Sequence, residues 1–60
     1  MLSQEIIKQS QVVDGKYLAV MQAKNAHLRQ GEIYEATKEI EELESEREKL
    51  HIMLKEGGYI

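Results

Sequence analysis

Cysteine and proline are both absent from this chain of 60 residues. Without cysteine the chain has no disulfide framework and no thiolate metal site, and its redox compartment is not indicated. No stretch approaches the roughly 20 apolar residues that a membrane span requires. The first ten residues also lack the basic start and the long apolar run of a signal peptide. We therefore expect a soluble, cytoplasmic protein that does not associate with a membrane.

The chain is too short to bury much surface by itself. A lone core of this size is marginally stable unless disulfides, a metal or oligomerisation add to it. The two histidines, His27 and His51, lie far apart in the sequence and have no cysteine partners. Oligomerisation is the remaining means of stabilisation, and a homodimer is the first expectation because twofold association is the commonest.

The strongest pattern in the sequence lies between residues 32 and 56. Apolar residues recur there at alternating spacings of three and four, and good helix formers fill the positions between them. This is the heptad pattern of a helix that packs against a partner helix. The predicted inter-helix positions, with Arg47 filling the one polar gap, are Ile33, Ala36, Ile40, Leu43, Arg47, Leu50 and Leu54.

The first half of the sequence predicts another helix, over about residues 3–29. Ser3 suits an N-cap, and Glu5 suits the first turn, where the helix dipole favours negative charge. At 100° per residue one face carries Ile6, Val13, Tyr17, Val20 and Leu28. Asp14-Gly15 interrupts this run as a turn signal, so the helix is either broken there or continuous. The shared phase on both sides favours a continuous helix.

Gln30-Gly31 predicts the turn between the two helices. Gly31 can adopt the left-handed conformation that ends helices, and Arg29 suits a last turn. The second helix is then expected over about 32–56, followed by Gly57-Gly58 and a short tail that ends at residue 60. A connection this short makes the helices antiparallel neighbours in a single helical-hairpin domain.

A turn centred on Gly31 places Arg47 beside Asp14 and Gly15. Gly15 would leave room for the guanidinium group, and Asp14 would supply a carboxylate for it. Alternatively, Arg47 extends its charged end into solvent while its stem covers apolar surface. The sequence leaves both arrangements open.

Several apolar residues fit neither face of the predicted hairpin. They are Ile7 and Leu18 in the first helix and Tyr34, Ile52 and Met53 in the second. A lone hairpin would expose them, so they either pack on a second copy or receive another protein. The predicted fold is therefore all-α: an antiparallel two-helix hairpin that assembles into a four-helix bundle as a homodimer.

Charge is divided unevenly along the chain. Residues 1–31 carry four basic and two acidic side chains, whereas residues 32–60 carry four basic and nine acidic ones. The one basic cluster is a candidate anion or nucleic-acid site in which a tyrosine would offer a stacking surface. It consists of Tyr17, Lys24, His27 and Arg29. The alternative is that these are ordinary surface cations near a helix end.

No catalytic, cofactor or metal site is expected. The chain has no glycine-rich phosphate loop and none of the common nucleophile or metalloprotease motifs. Glu48 and His51 have the spacing of a carboxylate–histidine metal pair, but the first helix carries only Glu5 to complete such a site. We therefore expect no enzymatic activity.

The leading functional hypothesis is a homo-oligomeric interaction module that regulates or inhibits an unidentified partner protein. The alternatives are an RNA or nucleotide binder that uses the basic cluster, and a structural assembly module. The size and predicted architecture resemble small helical-hairpin regulators of plasmids and phages, including the RNA-binding Rop type. This resemblance is one of fold.

Overall fold

The computed structural model describes residues 3–60, which form two α-helices and no strand. Helix α1 spans Gln4–Arg29, helix α2 spans Thr37–Glu56, and the two pack against each other. The all-α hairpin predicted from the sequence is confirmed for this part of the chain. Helix α1 runs without a break through Asp14 and Gly15, as its apolar phase predicts.

Helix α1 begins where its capping signal lies. The backbone N–H of Ile6 donates a hydrogen bond to Ser3 Oγ over 3.2 Å, and Glu5 lies in the first turn. The cap satisfies one of the N–H groups that the first turn of a helix leaves without a partner. Replacing such a cap by alanine typically costs about 1 kcal/mol.

Both helices end in the same glycine motif. Gly31 has a φ of +79°, its N–H donates to the carbonyl of Leu28 over 2.9 Å, and the N–H of Glu32 donates to the carbonyl of His27 over 3.0 Å. The same pair of bonds follows α2, where Gly58 also has a φ of +79°. This is the Schellman arrangement, in which a left-handed residue closes the helix.

Helix α2 begins at Thr37, five residues later than the sequence predicts. Residues 32–36 form an irregular connection instead, which ends at Ala36 in the left-handed conformation with a φ of +56°. Ala36 is fully buried and Tyr34 is half-buried, whereas Ile33 is 93% exposed. Ile33 was predicted to lie between the helices. It lies in solvent instead, because it belongs to this connection and not to α2.

The connection also shifts the register of the hairpin. Lys16 pairs with Glu42 and Gln9 pairs with Glu46, so the helices are antiparallel, but the pairing expected from a tight turn at Gly31 is displaced. The connection runs back beside the end of α1, where Tyr34 stacks on His27.

Arg47 does not lie between the helices, which corrects its predicted core position. It is exposed, as is Asp14, and within residues 3–60 Arg47 forms no ion pair. Leu43 and Leu50 turn toward α1, and between them Glu46 rather than Arg47 makes the polar contact with α1.

The buried face of α1 is also rotated from its predicted position. Ile6 is buried and Val13 and Val20 are half-buried, as expected for residues that face α2. Tyr17 and Leu28 were assigned to the same face, yet they are 58% and 64% exposed. Helix α2 covers the side of α1 on which Lys16 and Gln9 lie, and this leaves Tyr17 and Leu28 outside the contact.

Two Gly→Ala substitutions are expected to change stability in opposite directions. Gly15 lies inside a continuous helix, and a methyl group there meets nothing within 4 Å, so Gly15→Ala should stabilise by about 1 kcal/mol. Gly31→Ala should destabilise by about 1–2 kcal/mol, because alanine is strained in the left-handed region. Urea unfolding followed by circular dichroism measures both changes. Destabilisation by Gly15→Ala would contradict a continuous α1.

Candidate interaction surface

The hairpin buries few side chains. Within residues 3–60 only three hydrophobic residues are buried, namely Ile6, Ala36 and Leu43, and no large side chain is fully buried. Ten large hydrophobic residues in the same part of the chain are exposed. A core this small contributes little to a favourable free energy of folding. The exposed apolar residues are therefore the main unexplained feature of the molecule.

Four of these exposed residues lie along α1 in a second heptad pattern. Its apolar members are Ile7, Tyr17, Met21 and Leu28, which are 39%, 58%, 46% and 64% exposed. The polar residues Ser10, Asp14 and Lys24 complete the alternating spacings of three and four. We call these seven residues the outer stripe. Positions with this spacing form one continuous face of a helix.

The opposite border of the contact between α1 and α2 is polar. There Lys16 Nζ lies 3.4 Å from Glu42 Oε2, and Gln9 Nε2 donates to the backbone carbonyl of Glu46 over 2.9 Å. These side chains leave α1 on the side away from the outer stripe. The hairpin thus has one polar flank, on which these side chains link the two helices, and one apolar flank, on which the hydrophobic members of the outer stripe are exposed.

Glu46 is the most highly connected carboxylate on the polar flank. Lys49 Nζ lies 3.1 Å from its Oε1 atom, and the Gln9 amide lies 3.4 Å from its Oε2 atom. Both contacts lower the pKa of the Glu46 carboxyl group, and the contact with Lys49 has the larger effect. Because folding lowers this pKa, the two contacts stabilise the folded hairpin fully above the ordinary pKa of glutamate. That stabilisation is lost as the pH falls through the lowered value.

A compact cluster closes the end of the hairpin where the connection leaves α1. The ring of Tyr34 stacks on His27 with centroids 4.2 Å apart, and His27 Nδ1 lies 3.3 Å from Glu32 Oε2. The Tyr34 hydroxyl donates to the carboxylate of Glu39, at 2.6 Å and 2.8 Å from its two oxygens. This hydrogen bond, followed by desolvation and by the negative charge of Glu39, raises the pKa of Tyr34.

The raised pKa of Tyr34 gives a spectroscopic prediction. In a Tyr17→Phe/Tyr59→Phe background, absorbance at alkaline pH reports Tyr34 only, and Glu39→Gln should move its titration to lower pH because the negative charge is removed. The stability that this bond provides is complete below the ordinary tyrosine pKa and is lost as the pH rises through the raised value. Glu35→Gln, on the exposed side of the connection, is the matched control. Equal titration with and without Glu39→Gln would show that the hydrogen bond is absent in solution.

The candidate anion-binding residues do not converge on one site. Lys24 lies in a shallow groove with Leu28, Ile33 and Tyr34, whereas Arg29 lines a different depression with Gln22, Asn25 and Ala26. His27 is half-buried between Tyr34 and Glu32, and Tyr17 lies further along the outer stripe. A phosphate group at Lys24 would thus lie away from Arg29. Binding of an anion or a nucleic acid by these residues stays a prediction.

The predicted protein-interface residues are divided among three environments. Ala36 and Leu43 are buried between the helices, and Tyr34, Ile40, Leu50, Met53 and Leu54 are half-buried. Ile33, Arg47 and Ile52 are exposed. Ile52, at 46% exposure, lies on the back of α2, away from the outer stripe. The involvement of these residues in contacts with another protein stays a prediction.

Sequence reasoning assigned Tyr17 and Leu28 to the face that packs within the hairpin, and so did not identify the outer stripe. The signal that could have found it is a series of apolar doublets, at 6–7, 12–13, 17–18 and 20–21. One helix face cannot contain both members of such a doublet, because adjacent residues are 100° apart. The doublets therefore indicate a helix with two apolar contacts.

Comparisons with known proteins identify no relative, since no family model, curated protein or solved structure matches this chain. Neither helix within residues 3–60 is long and apolar enough to cross a bilayer. In the same residues, no three or more acidic or histidine side chains group in a way that could hold a metal ion. The outer stripe is thus the feature on which a functional proposal rests.

Proposed function

We propose that this chain is a non-enzymatic interaction module of the cytoplasm that works as a homodimeric four-helix bundle and regulates or inhibits a partner protein. A second copy would cover the apolar flank that a single hairpin leaves exposed. The surfaces left outside the dimer, above all the glutamate-rich back of α2, would then be available to the partner.

The observation that carries this proposal is the imbalance between three buried and ten exposed hydrophobic residues within residues 3–60. Exposed apolar residues scattered singly are ordinary, but a continuous apolar face marks a site of association. The spacing of the outer stripe is that of a helix-packing face rather than of a pocket for a small ligand.

The charge distribution supports association with protein rather than with nucleic acid. The chain has a net charge of −3, and the basic residues of α1 point in different directions. Binding to a phosphate backbone relies on several cations placed together. A dimer would double the number of these cations without bringing Lys24 and Arg29 of one chain onto one side.

Purification of the tagged full-length chain from its native cells tests this function. We expect a protein partner in a fixed ratio to the hairpin that remains bound after nuclease treatment. Two results would contradict the proposal. RNA in place of a protein would favour the nucleic-acid alternative, and an assembly much larger than a dimer with no second protein would favour a structural module.

A further inference from the structure

We propose that the outer stripe pairs with the outer stripe of a second copy, antiparallel and centred on Ala19, so that Asp14 of each chain contacts Lys24 of the other. This inference rests on the proposed homodimer and specifies its interface. The occupant of the apolar flank is thus a second copy of this chain, in one register.

Charge complementarity within the outer stripe selects this arrangement. Asp14 and Lys24 are the charged members of the stripe, both are exposed, and neither forms an ion pair within residues 3–60. They lie at equal distances along the chain on either side of Ala19. A twofold axis near Ala19 therefore brings each Asp14 beside Lys24 of the second copy.

The same axis matches the apolar residues. Tyr17 and Met21 also lie at equal distances from Ala19, so each tyrosine ring meets a methionine of the other chain. A thioether beside an aromatic ring is a favourable contact. Further out, Leu28 lies opposite Ser10 of the second copy. The two ion pairs thus lie on either side of the central layer of tyrosine and methionine.

Other antiparallel registers are less favourable. The pattern repeats every seven residues, so the neighbouring registers differ by one heptad. One of them places Asp14 against Tyr17, and the other places Lys24 against Met21. Each would put an unpaired charge on an apolar side chain, which costs desolvation energy with nothing to offset it. A parallel pairing would place Asp14 against Asp14 and Lys24 against Lys24.

A charge-exchange experiment tests the register. Asp14→Lys and Lys24→Asp are made as separate full-length variants, one is isotopically labelled, and the two are mixed for native mass spectrometry at low ionic strength. Each variant alone sets like charges against each other across the dimer. The mixed dimer contains two opposite-charge contacts instead. We expect the squared amount of mixed dimer, divided by the product of the two unmixed dimers, to exceed its statistical value by roughly tenfold, and to approach that value as salt is added.

Glu48→Lys and Lys55→Glu form the matched control pair, because both lie exposed on the back of α2. This pair should mix in statistical proportion. If the Asp14 and Lys24 variants also form dimers but mix statistically, the proposed register is wrong while the homodimer stands. If the unmodified chain is itself a monomer, both the register and the homodimer are wrong.

Discussion

Leu43→Asp is expected to abolish the folded hairpin. Leu43 is 8% exposed at the middle of the contact between α1 and α2, and it is one of the three buried hydrophobic residues within residues 3–60. Burying a carboxylate in place of an apolar side chain should cost about 3–5 kcal/mol or more. That is comparable to the whole stability of a domain of this size. Circular dichroism at 222 nm should show most of the helical signal lost.

Ile52→Asp is the matched control for this effect. It makes a closely similar chemical change in the same helix, at a position that is 46% exposed on the back of α2. Its cost should lie below about 1 kcal/mol, since surface substitutions usually have small effects. Full helicity and unchanged mass in Leu43→Asp would mean that α2 does not pack through the face described above.

Met21→Asp is expected to have the second largest effect, on association rather than on the contacts inside the hairpin. Met21 lies 46% exposed in the outer stripe, and in the proposed dimer it packs on Tyr17 of the second copy. Twofold symmetry introduces two carboxylates into the interface, each close to an existing Asp14. The dissociation constant should rise at least a hundredfold, which corresponds to about 2.7 kcal/mol. Sedimentation equilibrium measures this change.

Gln22→Asp is the control for Met21→Asp. It adds the same charge one residue further along α1, where the side chain is exposed and points away from the outer stripe. We expect it to leave the dimer unchanged. Equal weakening by both substitutions would indicate a general effect of net charge. No weakening by either would place the contact between copies elsewhere.

Local signals made much of the fold predictable. Ser3, Gly31 and Gly58 act through hydrogen bonds within a few residues of themselves, so the bounds of α1 and the end of α2 followed from the sequence. The start of α2 did not follow. It depends on the stacking of Tyr34 on His27 and on the burial of Ala36, which are contacts between segments.

The candidate site was less predictable for the same reason. The phase of a helix face is fixed by what packs on it, and the five-residue connection between the helices displaced the predicted register. Arg47 and Ile33 thereby moved to the surface, and Tyr17 and Leu28 moved out of the contact. The sequence contained the information that α1 carries more apolar residues than one helix face can hold. It did not indicate on which side of the helix the additional apolar residues lie.

The central claim is that the apolar flank of this hairpin is covered by a second copy. Sedimentation equilibrium of the unmodified chain, over a range of low micromolar concentrations, tests it most directly. The account predicts a species with twice the 6.9 kDa mass of one chain, dissociating on dilution and more readily after Met21→Asp. A folded, fully helical monomer throughout that range would contradict it.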